Sequence, residues 1–147
     1  MTLIQKISIK NYQECFILDS ESINLWTLEQ WELELSKRTV RAFGIYHDQK
    51  IIGLCLAQFL FQQSELNFLA IHPLFRKKGL GTTLMHKLIQ QSFDENIEKI
   101  FLEVSAENKT AIDLYRKMGF ETIRIRSKYY QNGSDALIQE RKLFKKL

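Results

Sequence analysis

The spacing of hydrophobic and polar positions changes along the chain, which predicts an alternation of strands and helices. Residues 3–9 alternate weakly and predict a strand, whereas residues 11–20 and 26–36 follow helical spacing. Residues 40–46 and 51–61 are rich in β-branched and aromatic side chains on either side of a polar turn, which predicts a hairpin.

The second half of the chain alternates strands with helices. After a third strand over 65–71 the pattern predicts a helix from Leu80 to about Phe93, a strand over 99–104, a helix over 108–118 ended by Gly119, a strand over 120–126 and a final antiparallel strand over 135–144. Strand, helix and strand in succession imply a right-handed crossover with locally parallel pairing. The elements together predict an α/β fold, with a mixed, mostly antiparallel sheet of about seven strands and helices on both faces.

Size and composition favour one domain over residues 1–147. The chain is 45% hydrophobic, and we find no signal peptide and no membrane span, so we expect a cytoplasmic protein without membrane association. Cys15 and Cys55 are isolated from each other, so they form no sequence motif for a metal or redox site. His47, His72 and His86 lack the spacing of metal ligands, so we expect no metal.

The formal net charge of +4 favours acidic ligands, but it is too small to indicate a nucleic-acid partner. The basic cluster of Arg141-Lys142 and Lys145-Lys146 is interpreted as a solvated C-terminus, with ribosomal or RNA contact as the alternative. A basic RNA-binding domain is a further alternative, although the chain lacks the aromatic signature of that class.

A basic glycine loop follows the third strand and leads into a helix. Amide groups at a helix start have no intrahelical partners and can bind phosphate oxygens, and Gly79 and Gly81 would let a ligand approach the main chain. The alternative is an ordinary surface loop with two turn glycines. A P-loop is excluded because Thr82 follows Gly81 where a lysine is needed, and Leu84 stands where a dinucleotide fingerprint needs its third glycine.

Three further residues could carry chemistry. Glu103 ends an apolar strand, so its carboxylate is either solvated at the strand end or retained for a function. Asn108 and Tyr115 share one face of the following helix. Each also has a purely structural interpretation, Asn108 as a helix N-cap and Tyr115 as a core aromatic.

The order of these motifs resembles the GNAT (Gcn5-related) N-acetyltransferases. Their coenzyme A loop has Arg or Gln, then two residues, Gly, one residue, and Gly or Ala, which matches Arg76 to Gly81. The downstream family pattern is matched by Leu102-Glu103-Val104, Asn108, Ala111, Leu114-Tyr115 and Gly119-Phe120, and the pattern of the RimI-type ribosomal-protein alanine N-acetyltransferases by Arg126, Tyr129-Tyr130 and Asp135-Ala136. Two positions depart from that pattern: Leu25 replaces a usual proline, and Ser105 replaces a common arginine.

The resemblance implies a GNAT fold, with acetyl-coenzyme A bound where strands 65–71 and 99–104 lie parallel and splay apart. It implies Glu103 as general base and Tyr115 as general acid. The implied contacts to acetyl-coenzyme A come from the main chain of Leu69, Ala70 and Ile71, from the loop residues Arg76, Lys77, Lys78, Gly79, Leu80, Gly81 and Thr82, and from Asn108.

The implied reaction is direct acetylation of the N-terminal α-amino group of an alanine on a ribosomal protein. The implied partner is the N-terminal peptide of that protein, with no direct nucleic-acid contact, and the expected state is a monomer or weak dimer. A small-molecule amine or a protein lysine is the alternative acceptor. A coenzyme A-binding or ribosome-binding module without catalysis is the non-enzymatic alternative.

Overall fold

A computed structural model describes residues 2–143 of the chain. The strands are β1 (Thr2–Ile7), β2 (Val40–His47), β3 (Lys50–Leu60), β4 (Gln63–Ile71), β5 (Lys99–Ser105), β6 (Glu121–Arg126) and β7 (Ala136–Lys142). The helices are α1 (Tyr12–Ser20), α2 (Leu28–Ser36), α3 (Leu80–Asp94) and α4 (Lys109–Lys117). Short 3-10 turns lie at Ile9–Asn11 and Pro73–Phe75.

The strands form one mixed sheet in the order β1-β2-β3-β4-β5-β7-β6. Within the described residues β4 and β5 are the one parallel pair, and the other neighbours are antiparallel. The predicted fold class, with a mostly antiparallel sheet of about seven strands and one parallel pair, is therefore confirmed.

Three details differ from the sequence prediction. The first strand ends at Ile7 because Ser8 forms a capping box with Asn11. The second helix starts at Leu28, not at residue 26, because Thr27 forms the equivalent box with Gln30. Strands β5 and β6 are separated by β7, so the predicted parallel pairing across α4 does not form.

The C-terminal bases are partly structural. Arg141 and Lys142 belong to β7, and the side chain of Arg141 lies near Gly119, where an added Cβ would come within 3.4 Å of its Nε. The interpretation of this pair as a solvated terminus is therefore wrong for Arg141, which is half-buried. Lys145 and Lys146, and Phe144 of the predicted last strand, lie outside the described residues.

Hydrophobic cores cover the sheet on both faces. On one face α3 and α4 pack on the strands through residues such as Leu84, Leu88 and Tyr115. On the other face α1 and α2 pack on β2 to β4 through residues such as Leu18 and Trp31. Among residues 2–143 no helix covers that second face at β5 to β7, where β6 is exposed along its whole length.

A buried carboxylate holds the α1–α2 connection. Asp19 is fully buried, and its two oxygens accept hydrogen bonds of 2.8 Å from the amides of Leu25 and Trp26 and from the indole Nε1 of Trp31. Trp31 and Trp26 pack edge to face at 4.8 Å between ring centroids. One side chain therefore fixes both the loop and the first turn of α2.

We predict that Asp19→Ala lowers the free energy of unfolding by about 3–5 kcal/mol, because three donors lose a charged acceptor in a buried site. Asp113→Ala is the matched control, since Asp113 is an exposed partner of Arg116 at 3.3 Å. That control should change the free energy by about 0.5 kcal/mol or less. Urea denaturation measures both, and equal midpoints for the two variants would contradict the role of Asp19.

Candidate active site

A bulge in β4 opens a gap in the middle of the sheet. Opposite β3 the register places Phe68 against Leu56 and Leu66 against Ala57, so Asn67 is an extra residue. The last residue of β4 paired with β5 is Glu65. Because a bulge bends its strand, the two parallel strands diverge beyond this point. One edge of β4 is thereby left without a partner strand in the described part of the chain.

The side chains beyond the bulge are occupied in packing. Leu69 and Ile71 pack on the core beneath α3 and α4, whereas Phe68 and Ala70 face the core beneath α1 and α2. With these side chains in packing, residues Leu69 to Ile71 can offer a ligand in the gap only their main chain. Arg76 donates a hydrogen bond from Nε to the carbonyl of Ile71 at 3.0 Å, which ties the end of β4 to the glycine loop.

The glycine loop presents free amide groups at the start of α3. Gly79 is the N-cap, has a φ of 77° and has no side chain to cap the helix. The first helical bond runs from the amide of Thr83 to the carbonyl of Gly79 at 3.1 Å. Among residues 2–143, the amides of 77–82 have no hydrogen-bond partner. These donors, the helix dipole and the exposed basic side chains make the loop a candidate anion-binding cradle.

Two features give the cradle its shape. Lys77 has a φ of 64°, a left-handed conformation that costs a non-glycine residue roughly 1–2 kcal/mol and that is often retained at functional sites. Gly81 lies where an added Cβ would be 3.3 Å from Cδ2 of Leu114, so its small size allows α3 to approach α4 closely. The loop therefore combines strain with close helix packing.

Glu103 lies beside the gap on the uncovered face. It follows Phe101, the last residue of β5 that pairs with β4, by two positions and is exposed. Leu102 and Val104 point into the core, so Glu103 points away from α3 and α4. Its Oε1 accepts a hydrogen bond of 2.9 Å from the hydroxyl of Tyr130. Its Oε2 has no partner among the described residues.

A groove of about 560 Å³ adjoins Glu103 on this face. Arg124, Ile138 and Glu103 lie in one row across β6, β7 and β5. The polar and aromatic residues that line the groove are Gln63, Glu65, Phe101, Glu103, Arg124 and Arg126. The uncovered face therefore offers both carboxylate and guanidinium groups to a ligand that reaches Glu103.

Tyr115 approaches from the opposite, helix-covered face. It is 8% exposed and belongs to the core that also contains Cys55 and Leu88. Burial, with a smaller contribution from Cys55, raises the pKa of Tyr115 well above its usual range. The phenol is therefore protonated at neutral pH, and its hydroxyl has no hydrogen-bond partner among residues 2–143. It can act as a proton donor.

Asn108 caps α4, as its structural interpretation required. Its Oδ1 accepts a hydrogen bond of 3.2 Å from the amide of Ala111. The side-chain NH2 has no partner within the described ranges, so the capping role leaves a donor available for a ligand. Within residues 2–143, no group of three or more His, Cys, Asp or Glu side chains could hold a metal ion, and no helix is long and apolar enough to span a membrane.

Sequence reasoning missed two parts of this site. The bulge at Asn67 is hidden because Phe68 to Ile71 continue as an apolar run. The contact between Tyr130 and Glu103 joins residues 27 positions apart. The only signal for it was the Tyr129-Tyr130 pair in the sequence.

Comparison with known proteins identifies the family. The family model described as Acetyltransferase (GNAT) family matches residues 8–120. The chain belongs to the GNAT family of acetyltransferases. The family inferred from the glycine loop and the motifs after it is thus confirmed, and the glycine loop of this GNAT chain lies within the matched residues.

Two relatives and one solved structure are similar to this GNAT chain. A ribosomal protein bS18-alanine N-acetyltransferase of Salmonella typhimurium is 33% identical over 94 residues, which cover 62% of this chain and 64% of that protein. A putative enzyme of the same name from Bacillus subtilis is 25% identical over 138 residues, covering 92% and 91%. The crystal structure of the Escherichia coli ribosomal-protein-S18-alanine N-acetyltransferase superposes with a TM-score of 0.93 at 22% identity, covering 100% of this chain and 97% of that chain.

Proposed function

We propose that this chain, acting as one domain in the cytoplasm, transfers an acetyl group from acetyl-coenzyme A to the N-terminal α-amino group of a ribosomal protein. The observation that carries the proposal is a run of amides at residues 77–82 that have no partner in the described part of the chain. They follow, after a short 3-10 turn, a strand whose edge is unpaired within the same part. The names of the Salmonella and Bacillus relatives support alanine as the acceptor residue.

The residues of the gap fit acetyl-coenzyme A. An extended pantetheine arm carries amide groups that can pair with the free edge of Leu69, Ala70 and Ile71 like an added strand. The free amides of 77–82, with Arg76, Lys77 and Lys78, suit a diphosphate at the start of α3. The NH2 of Asn108 is free to donate to the same arm. One neighbour in fold, an N-acetyltransferase of Thermoplasma acidophilum, was solved in complex with coenzyme A.

Glu103 and Tyr115 divide the proton transfers between the two faces of the sheet. Acetyl-coenzyme A supplies the acetyl group as an activated thioester. Glu103 takes a proton from the acceptor ammonium through a water before attack. As the C–N bond forms and the C–S bond breaks, Tyr115 gives a proton to the departing sulfur, and the nitrogen then loses its second proton to water. Of the two protons lost by the nitrogen, one replaces the proton that Tyr115 gave to the thiol, and the other passes to solvent. A free amide of β4 near Leu69 to Ile71 can stabilise the negative charge that develops on the carbonyl oxygen.

A carboxylate is an adequate base for an α-amino group. With a pKa of about 7.7–8.0 the amine loses its proton near pH 7.4 at a cost of roughly 0.5 kcal/mol, whereas a lysine at about 10.4 costs roughly 4 kcal/mol. The direct experiment incubates the protein with acetyl-coenzyme A and a peptide beginning Ala-Arg, beside polyamines and aminoglycosides. The peptide should gain one acetyl group by mass, and acetylation of the small amines alone would contradict the proposal.

We predict that Gly79→Glu weakens coenzyme A binding by about tenfold or more, because it places a negative charge among amides that bind the diphosphate. Gly133→Glu is the matched control. Gly79 and Gly133 have φ values of 77° and 84° and open space at the Cβ position, so both variants carry the same backbone strain. Calorimetry with coenzyme A should separate them, and equal affinities would remove the loop from the binding site.

We predict that Glu103→Gln lowers kcat by about 10²–10⁴ at pH 6–7 and has a smaller effect as the pH rises above about 8, where the amine is already neutral. Glu65→Gln, which removes another carboxylate from the same groove, should leave kcat within about threefold. A ratio of wild-type to variant kcat that does not change with pH would show that Glu103 is not the base.

Tyr115→Phe should lower kcat by about 10² while the affinity for acetyl-coenzyme A stays constant, because it removes a proton donor and little volume. Since burial raises the pKa of Tyr115, the phenol stays protonated across the neutral range. The variant should therefore slow the reaction equally from pH 6 to about 9. Full activity of this variant, measured by release of the coenzyme A thiol, would contradict the assignment.

A further inference from the structure

The hydrogen bond between Tyr130 and Glu103 gives the two oxygens of the Glu103 carboxylate different surroundings. The hydroxyl of Tyr130 donates to Oε1 at 2.9 Å, and Oε2 is left without a partner among residues 2–143. Burial, the hydrogen bond and the charge of Glu103, in that order, raise the pKa of Tyr130 to about 12. At neutral pH Tyr130 is therefore always a donor to this carboxylate.

The β6–β7 loop, residues 127–135, is built to hold Tyr130 at this place. A turn closes from the amide of Gly133 to the carbonyl of Tyr130 at 2.9 Å, and the amide of Tyr130 donates to the carbonyl of Ser134 at 3.2 Å. The hydroxyl of Ser134 lies 3.2 Å from that of Ser105. Ser105 follows Glu103 by two positions on β5, so the loop is attached to the strand that carries the carboxylate.

We propose that Tyr130 is a positioning residue for Glu103, a role that rests on the proposed acetyl transfer. Its phenol fixes one oxygen of the carboxylate and leaves the other oxygen available to accept a proton. A carboxylate on an exposed strand would otherwise sample several rotamers. The tether is the reason that an exposed Glu103 can serve as a base in one orientation.

The kinetic test compares wild type, Tyr130→Phe, Glu103→Gln and the double variant. Tyr130→Phe should lower kcat about tenfold with the KM of the acceptor peptide changed less than about twofold, and in the Glu103→Gln background the same change should have almost no effect. Tyr46→Phe is the matched control, since Tyr46 donates a similar hydrogen bond of 2.8 Å to Glu14 between β2 and α1. It should leave kcat unchanged.

A persistent loss of kcat in the Glu103→Gln background, or a rise in acceptor KM alone, would overturn the proposal and indicate direct contact between Tyr130 and the acceptor. A wild type that binds coenzyme A but acetylates no peptide contradicts the proposed function instead.

For that case tyrosines labelled with carbon-13 at Cζ give an independent test by NMR. Tyr130 should stay protonated to about pH 11 in wild type and ionise at lower pH in Glu103→Gln, while Tyr46 titrates identically in both. If Tyr130 titrates at the same pH in wild type and in Glu103→Gln, the proposed hydrogen bond between Tyr130 and Glu103 is contradicted.

Discussion

The extra residue in β4 is the constraint on which the site depends. A regular β4 would pair with β5 along its length, and the main-chain groups on that edge would all form hydrogen bonds to β5. Because Asn67 interrupts the register, pairing with β5 ends at Glu65 and the strand beyond has a free edge. The gap does not divide the sheet, because β4 remains paired with β3 on one side of it and β5 remains paired with β7 on the other.

The two faces of the sheet then take different tasks at this gap. On the covered face, the packing of α3 on the core fixes the free amides of its first turn beside the end of β4, and α4 brings Tyr115 from a neighbouring position. On the uncovered face, α1 and α2 stop short of β5 and leave a groove beside Glu103. A donor bound from one side and an acceptor from the other would therefore meet at the gap without competing for space.

Local patterns in the sequence were enough to predict the strands, the helices and the glycine loop that begins α3, because each depends on residues close together in the chain. Capping residues such as Thr27 set boundaries that periodicity alone placed two positions away. What could not be predicted depends on distant residues. The insertion of β7 between β5 and β6, the hydrogen bond from Tyr130 to Glu103 and the hydrogen bond from the indole of Trp31 to Asp19 arise only from tertiary packing.

The side chains around Asn67 carry one more consequence. Ser64 and Leu66 face the same layer as Leu69 and Ile71, so without residue 67 the strand would alternate regularly between the two layers. Deletion of this residue would keep every neighbouring side chain on its present face of the sheet. Strand β4 could then continue to pair with β5 beyond Glu65. The width of the gap is therefore set by the number of backbone residues at one position and does not depend on which side chain position 67 carries.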